Sequence, residues 1–163
     1  MRILGVCGSL QADSANLRLL RRAATMLPDG VTLELFDGLR DLPLFNPDLE
    51  GGPVPPAVKA WREAIAASDA VLIATPEYAH SLPGALKNAI DWVVGSGELE
   101  RKLVGVTAST PGPERGLRGL SALLQTLGAV SARIVGGEPI PRGPDADAYL
   151  EALIEGLVAA KRG

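Results

Sequence analysis

The sequence has almost none of the side chains that crosslink chains or bind transition metals. Its 163 residues include a single cysteine, Cys7, and a single histidine, His80. One cysteine excludes an internal disulfide and a multi-cysteine metal site, and one histidine disfavours a histidine-based site. We therefore expect no metal ion. Cys7 ends an apolar run, so we interpret it as a small core residue, with a redox thiol as the alternative.

Long apolar runs and excess positive charge are also missing. No run approaches the roughly 18 apolar residues of a membrane span, and residues 3–7 are too short for the apolar part of a signal peptide. The formal net charge of −3 disfavours nucleic acid as the main partner. We expect a cytoplasmic protein with no membrane or nucleic-acid partner. The length and the 47% hydrophobic content fit a single domain, residues 1–163.

The two glycine motifs that most often bind nucleotide phosphates are absent as well. Neither G-x-G-x-x-G nor G-x-x-x-x-G-K-[ST] occurs in the chain. Instead, a buried strand predicted at residues 2–7 leads through a loop of small residues into a helix. The N–H groups and the dipole of such a helix start favour a phosphate, and Ser9, Ser14 and Asn16 add side-chain donors. The alternative is an ordinary turn in which Ser14 caps the helix.

Apolar periodicity predicts five strands that alternate with five helices. Strict alternation of this kind indicates a parallel sheet with helices on both faces. We expect an α/β fold of the flavodoxin-like type, a three-layer sandwich whose five-stranded parallel sheet has the order 2-1-3-4-5. The predicted strands lie at residues 2–7, 31–36, 70–75, 103–108 and 130–135. The predicted helices lie at residues 15–27, 54–67, 81–94 and 117–127, with a last one around residues 149–158.

Three loops follow neighbouring strands in that order, and we expect them to meet at one edge of the sheet. They comprise residues 8–14, 76–82 and 109–116. In the second loop, Ser81 is the predicted N-cap of the third helix. A further irregular segment, residues 37–56, is long and carries Leu42, Leu44 and Phe45. These apolar side chains predict packing against the protein body or against a second subunit.

Four short motifs occur in order along the chain: GSL at residues 8–10, S-x-N-x-x-L at 14–19, TPEY at 75–78 and PGALKNAIDW at 83–92. Together they resemble the NADPH-dependent FMN reductase family, the flavodoxin-like group that includes chromate and quinone reductases and azoreductase-like enzymes. GS alone is a weak indication of the family, whereas PEY followed by PG-x-LKN-x-IDW is specific to it. The resemblance covers roughly residues 2–135.

The resemblance implies an FMN-containing enzyme that takes hydride from NADPH or NADH and passes it to free flavin, a quinone or another small acceptor. The flavin supplies the chemistry in this family, so no catalytic side chain is expected. One slot shared by both substrates predicts ping-pong kinetics. A homodimer or homotetramer is expected, because flavin slots in the family are completed by a neighbouring subunit.

The resemblance also assigns cofactor-binding residues. The phosphate of FMN is expected to contact Ser9, Ser14 and Asn16, and the cofactor site is expected to include Gln11, Ala15 and Leu17 of the same stretch. The isoalloxazine ring is expected between Pro76, Glu77, Tyr78 and Ala79, with its pyrimidine edge near Ser109, Thr110 and Gly112. For Tyr78 the alternative is packing against the helix that follows.

Two positions depart from the family's pattern. Gln11 stands where the family usually has arginine, which predicts weaker phosphate binding, and Ala79 stands where asparagine usually follows PEY. These departures leave open a flavodoxin-like domain that has lost flavin and binds another phosphate ligand or a partner. An electron-carrier flavodoxin is a further alternative, although carriers usually dock through a strongly charged face and this chain is near neutral.

Other conspicuous residues have structural interpretations. Trp61 and Trp92 recur with aliphatic residues at helical spacing, so we expect them in the core or in an interface. Lys87 and Asp91 are expected to pair on a helix surface. His80 is expected either to meet the substrate or a second subunit, or to be a solvated loop residue.

Overall fold

The computed structural model describes residues 1–162 and contains a parallel sheet of five strands. The strands are β1 (Arg2–Cys7), β2 (Thr32–Phe36), β3 (Ala70–Ala74), β4 (Leu103–Thr110) and β5 (Arg133–Pro141). They lie in the order β2-β1-β3-β4-β5, and every neighbouring pair is parallel. The predicted flavodoxin-like topology is therefore confirmed.

Four α-helices connect the strands, a fifth follows β5, and together they cover both faces of the sheet. They are α1 (Ala15–Ala24), α2 (Pro56–Ala67), α3 (Gly84–Asp91), α4 (Leu117–Ala129) and α5 (Ala146–Arg162). Two short 3-10 turns, Gly38–Asp41 and Pro47–Leu49, lie between β2 and α2. Within residues 1–162, no helix has the length and apolar character needed to cross a membrane.

The central strand β3 is buried along its whole length and separates two apolar layers. Val71 and Ile73 belong to the layer covered by α2, α3 and α4, whereas Leu72 belongs to the layer covered by α1 and α5. Trp61 and Trp92 are both buried in the first layer, which confirms the prediction for them. That residues 1–163 form a single domain stays a prediction.

The irregular segment after β2 is anchored on α3. Side-chain nitrogens of Asn88 and Trp92 donate to the Pro43 carbonyl at 2.9 and 2.7 Å, and the Phe45 N–H donates to Asn88 Oδ1 at 2.8 Å. The Phe45 ring packs edge-on against Trp92, with centroids 5.2 Å apart. The predicted packing on the body is confirmed for Phe45, whereas Leu44 is 84% exposed.

The last strand is longer than the sequence predicted. Where a strand at residues 130–135 and a glycine-rich link were expected, β5 continues through Gly136 and Gly137 to Pro141. The pairing with β4 shifts register at a bulge, and the two glycines adopt φ values of 78° and 111°. Glycine in a bulged strand carries little β signal, so this segment resembled a linker.

Two predictions near the loops are wrong. Ser109 and Thr110 do not open a loop but end β4, because the extended β5 pairs with them through Ile140 and Pro141. Ser81 does not cap α3, which begins at Gly84 with Pro83 as its N-cap residue. The backbone of Ser81 is instead engaged in a tight turn, described below.

Candidate functional site

The carboxyl ends of β1, β3 and β4 lie side by side, so the loops that follow them share one edge of the sheet. Cys7 is in register with Ala74, and Ala74 is in register with Thr107. Gly8 allows the loop after β1 to pass close to β3, because a Cβ atom there would overlap Thr75 Oγ1. We call the space between these loops the crevice. Its sides are residues 8–17 (the α1 wall), residues 76–81 (the turn wall) and residues 109–112.

The α1 wall presents the start of α1 to the crevice. Ser14 Oγ accepts from the Asn16 N–H at 3.2 Å, which confirms Ser14 as the N-cap. The Ala15 and Leu17 N–H groups have no hydrogen-bond partner among residues 1–162, and the first turn of α1 carries no acidic side chain. A hydroxyl that accepts one bond keeps its own hydrogen to donate. This wall therefore offers donors, together with the positive end of the helix dipole, to an anion.

Asn16 has a structural role that the sequence did not reveal. It is buried, and its Oδ1 accepts a hydrogen bond from the Ser109 N–H at 2.8 Å. The side chain predicted as a phosphate donor thus acts first as an acceptor that joins the start of α1 to the end of β4. This contact spans 93 positions of the sequence, so no local pattern could signal it.

Ser9 connects the α1 wall to the turn wall. Its Oγ lies 3.2 Å from the Tyr78 hydroxyl and also accepts the Gln11 N–H at 3.2 Å. Tyr78 remains 51% exposed, so a large part of its ring is available to a ligand. The Tyr78 hydroxyl thus contacts the α1 wall, and its ring can serve as a flat surface for an aromatic partner.

Glu77 fixes the turn wall to α4. Its Oε2 accepts the N–H groups of Arg118 and Gly119 at 3.0 and 3.1 Å, and its Oε1 lies 3.2 Å from His80 Nδ1. Hydrogen bonds from the Gly119 N–H and then from the His80 ring hold the pKa of the Glu77 carboxyl below its ordinary value. The carboxylate caps the first turn of α4, so its side chain is committed to the frame of the crevice.

The turn wall ends in a two-residue β-turn. The backbones of Tyr78 and Ser81 exchange both hydrogen bonds, at 3.0 and 2.9 Å. The two residues between them, Ala79 and His80, have φ values of 50° and 61°. Two consecutive positive φ angles define a type I′ turn, which Asn-Gly or Asp-Gly adopts most easily. The Ala-His pair is therefore strained in this position.

The third side of the crevice is a strand end. Ser109 is half-buried and is tied to Asn16 through its backbone, whereas Thr110 is buried and its hydroxyl donates to the Gly112 carbonyl at 2.8 Å. The predicted residues Pro76 and Gly112 lie on the same edge, after β3 and β4. The three predicted groups are thus brought together, although the Thr110 hydroxyl is occupied within the protein.

Sequence reasoning missed Gly119 and the role of Glu77. A Cβ atom at Gly119 would lie 2.9 Å from both Cα and Cβ of Glu77 and 3.2 Å from the Ser81 carbonyl. Glycine is costly inside a helix, so its position near the start of α4 was a usable signal for close packing. The partner, which lies 42 positions away, could not be read from the chain.

The residues present fit a ligand that combines a phosphate with a flat ring. The α1 wall supplies hydroxyl and N–H donors, and its one acid, Asp13, is neutralised by Arg18 at 2.6 Å. The exposed Tyr78 ring and the backbone of the turn wall supply a flat boundary next to it. This fold and this arrangement define a flavodoxin-like protein whose crevice lies at the switch point of the sheet.

Comparison with known proteins assigns the chain to a family. It belongs to the NADPH-dependent FMN reductase family, whose model matches residues 1–141. An NAD(P)H-dependent FMN reductase of Pseudomonas aeruginosa is 47% identical over 92 residues, which cover 56% of this chain and 49% of that protein. A quinone reductase of Pseudomonas putida is 38% identical over 125 residues, which cover 75% of this chain and 67% of that protein. The chain thus spans about half to two thirds of these relatives.

Among solved structures, the chain is similar to FerB, a flavoenzyme NAD(P)H:(acceptor) oxidoreductase from Paracoccus denitrificans. The two share 26% sequence identity with a TM-score of 0.86, covering 99% of this chain and 97% of that chain. An apo NADH:FMN oxidoreductase has the same fold, with a TM-score of 0.77. The family membership inferred from the four sequence motifs is confirmed.

Proposed function

We propose that this chain is an NAD(P)H-dependent FMN reductase of the quinone-reductase type. It would pass electrons from NADPH or NADH through bound FMN to free flavin, a quinone or another small acceptor. The observation that carries the proposal is the set of donors left free at the start of α1, on the edge where β1, β3 and β4 end. In doubly wound sheets of this order, a flavin binds at that edge. The names of the two Pseudomonas relatives support flavin or quinone as acceptor.

In this proposal the protein positions its ligands and supplies no acid or base. When bound, FMN supplies the redox chemistry, accepting hydride from the nicotinamide and passing it on. The α1 wall would hold the phosphate through Ser9, Ser14 and the N–H groups of Ala15 and Leu17. Tyr78 and the backbone of the turn wall would border the ring, together with residues 109–112. Glu77 would act indirectly, by keeping the turn wall against α4.

The test is reduction of the loaded protein by nicotinamide. The purified protein is mixed with FMN, and binding is followed by quenching of flavin fluorescence. NADPH or NADH is then added without oxygen, and the visible flavin absorbance should bleach and return when a quinone is added. Initial rates at varied NADPH and quinone should follow a ping-pong pattern. A protein that does not bind FMN, or whose bound FMN is not bleached, contradicts the proposal.

We also propose that the protein is a homodimer or homotetramer. Leu44 is 84% exposed, and a pocket of about 310 Å³ between α3 and α4 has an apolar part that includes Val94 and Val130 beside a polar part formed by Lys87, Asp91, Gln125 and Thr126. Val94 is itself 57% exposed. Burial of Leu44 and Val94 by a second copy would remove apolar surface from water and so favour assembly. Sedimentation at micromolar concentration tests this, and a monomer would contradict it.

We place the protein in the cytoplasm, because its proposed electron donors, NADPH and NADH, are reductants of the cell interior. Fractionation of cells that express a tagged protein tests this location. Recovery of the protein outside the cytoplasmic fraction would contradict it.

A further inference from the structure

A second pocket opens directly beside the α1 wall, on the side of β2. Its volume is about 230 Å³, and its polar lining comprises Ser9, Gln11, Arg21, Asp37 and Arg40. Ser9 and Gln11 belong to the loop after β1, Arg21 to α1, and Arg40 to the 3-10 turn that follows β2. The pocket and the crevice therefore share the same loop as a common side.

Some of the charged side chains around this loop form ion pairs and others do not. The loop itself carries one charged side chain, Asp13, which is paired with Arg18, and Arg22 of α1 is paired with Asp147 at 2.6 Å. Arg21 and Arg40 form no ion pair within residues 1–162. Asp37 is the one acid on the pocket's lining, so two arginines face a single carboxylate and the pocket keeps an excess of positive charge.

A phosphate monoester bound at the α1 wall needs positive charge that the loop does not supply. Such a group carries about −1.5 to −2 charges at neutral pH. Gln11, the longest side chain of the loop, is neutral, and the remaining donors are hydroxyls and N–H groups. Arginine is the side chain best matched to a phosphate, because its planar fork can donate two hydrogen bonds at once.

Position on the helix brings one of these arginines toward the loop. Arg21 lies four residues after Leu17, and residues at that spacing share a helix face. Both side chains line the pocket, together with Ser9 and Gln11. Arg40 reaches the same pocket from the opposite side, through the turn after β2. The two guanidinium groups are therefore carried on separate elements that meet around one cavity.

We propose that Arg21 and Arg40 form a phosphate-monoester subsite next to the crevice. This inference rests on the proposed function and deepens it. Two ligands of that function carry such a group, FMN at the end of its ribityl chain and NADPH on its adenosine ribose. The same two arginines would then provide the charge that selects FMN over riboflavin, or NADPH over NADH.

The first arm of the test compares FMN with riboflavin, which lacks the phosphate. Dissociation constants are measured by flavin fluorescence for the wild type, Arg21→Gln, Arg40→Gln and the double variant. The double variant should lose about tenfold or more of the preference for FMN, and its FMN affinity should depend less on salt. Riboflavin binding should stay unchanged. Arg21→Lys, which keeps the charge, should retain more of the preference for FMN over riboflavin than Arg21→Gln does.

The second arm compares NADP⁺ with NAD⁺ on the FMN-loaded proteins by calorimetry. A loss of the NADP⁺ preference in the double variant, with the FMN preference intact, assigns the subsite to the dinucleotide. Arg101→Gln removes an exposed arginine from the turn before β4, at the opposite edge of the sheet, and should leave both preferences as in the wild type. Thermal unfolding of each variant confirms that it is folded.

The outcomes separate the two proposals. If the wild type binds FMN and is bleached by NADPH, but the double variant keeps both preferences, the subsite is refuted and the proposed function stands. If the wild type binds neither FMN nor NADP⁺, both are refuted. A fall of either preference that also occurs in Arg101→Gln refutes the subsite, since the effect would then follow net charge alone.

Discussion

The two main walls of the crevice use their polar groups in opposite ways. In the turn wall, the Glu77 carboxylate and the backbones of Tyr78 and Ser81 are all engaged by the protein itself. In the α1 wall, the N–H groups of Ala15 and Leu17 remain without partners within residues 1–162. Unpaired donors are costly unless water or a ligand takes them. The α1 wall thus keeps donors at the positive end of a helix dipole available to a ligand, whereas the turn wall commits its carboxylate and both ends of its turn to holding a shape.

The shape of the turn wall is held against a local preference. Ala79 and His80 occupy the central positions of a type I′ turn with positive φ angles, although neither is glycine, asparagine or aspartate. The contacts of Glu77 with the start of α4 keep this turn in place. Strain of this kind is found where surrounding structure fixes a backbone that borders a ligand.

The largest effect is expected where the turn wall meets α4. Gly119→Ala should lower the free energy of unfolding by about 2–3 kcal/mol, because its new Cβ would lie 2.9 Å from the Glu77 backbone. Gly128→Ala, in the same helix, meets no atom within 4 Å and should be neutral or slightly stabilising. Urea unfolding measures both variants. Equal effects at the two positions would show that α4 does not press on the turn wall.

Removal of the Glu77 cap is expected to have the next largest effect. Glu77→Ala should cost about 1–2 kcal/mol of stability, since two N–H groups at the start of α4 lose their acceptor. Glu77→Gln, which keeps one acceptor oxygen, should cost less. FMN affinity should fall only because the turn wall is held less firmly against α4, since Glu77 is not expected to contact FMN. If Glu77→Gln leaves stability intact but abolishes FMN binding, Glu77 contacts the ligand directly and the contrast between the walls fails.

The Glu77 carboxylate should also make the stability of the protein depend on pH. Because folding lowers the pKa of Glu77 below its ordinary value of 4.5, its contribution is fully present above that value. It is lost as the pH falls through the lower pKa of the folded state. The stability difference between the wild type and Glu77→Gln should therefore shrink on acidification from pH 6 to about pH 3. A difference that is constant with pH would contradict the assignment of the charge to the cap.

Substitutions in the α1 wall should change the affinity for FMN more than the stability of the protein. Ser9→Ala should weaken FMN binding about tenfold and change the free energy of unfolding by less than about 1 kcal/mol. Tyr78→Phe removes the hydroxyl that touches Ser9 but keeps the ring, so it serves as the matched control. It should retain FMN affinity within about threefold. A large loss of stability in Ser9→Ala with unchanged FMN affinity would reverse the roles of the two walls.

Relief of the strain in the turn is expected to have the smallest effect on stability, and it should stabilise the protein. Replacement of Ala79 and His80 by Asn and Gly should raise the free energy of unfolding by about 1 kcal/mol, since that pair prefers the observed φ angles. Ala79→Val, a β-branched residue at a positive φ, should destabilise the protein. Thermal unfolding compares the variants. A loss of stability in the Asn-Gly variant beyond that caused by removing the His80 contact with Glu77 would indicate that the turn is not strained.

Most of the fold could be predicted because it rests on local patterns. Five apolar strands in alternation with helices determine a parallel sheet, and handedness of the crossovers limits its order. The end of β4 and the length of β5 could not be predicted, because they depend on pairing across a bulge that contains Gly136 and Gly137. A glycine pair has no side-chain periodicity from which a strand can be recognised.

The position of the candidate site was predictable, whereas the use of its side chains was not. The segments that follow the first, third and fourth predicted strands placed Ser9, Tyr78 and Ser109 at one edge, because parallel strands end together. The pairing of Asn16 with Ser109 and of Glu77 with Gly119 depends on distances across the sheet. A sequence identifies a polar side chain, but only the fold decides whether its atoms face a ligand or another part of the protein.

Hydrogen–deuterium exchange with and without saturating FMN tests the central claim most directly. If the free donors at the start of α1 hold the FMN phosphate, exchange should slow most at residues 9–17 and less at Tyr78 and Ser81, whose amides are already bonded to each other across the turn. Riboflavin should slow residues 9–17 less than FMN does. If bound FMN leaves exchange at residues 9–17 unchanged, or slows it only between α3 and α4, the assignment of the crevice is contradicted.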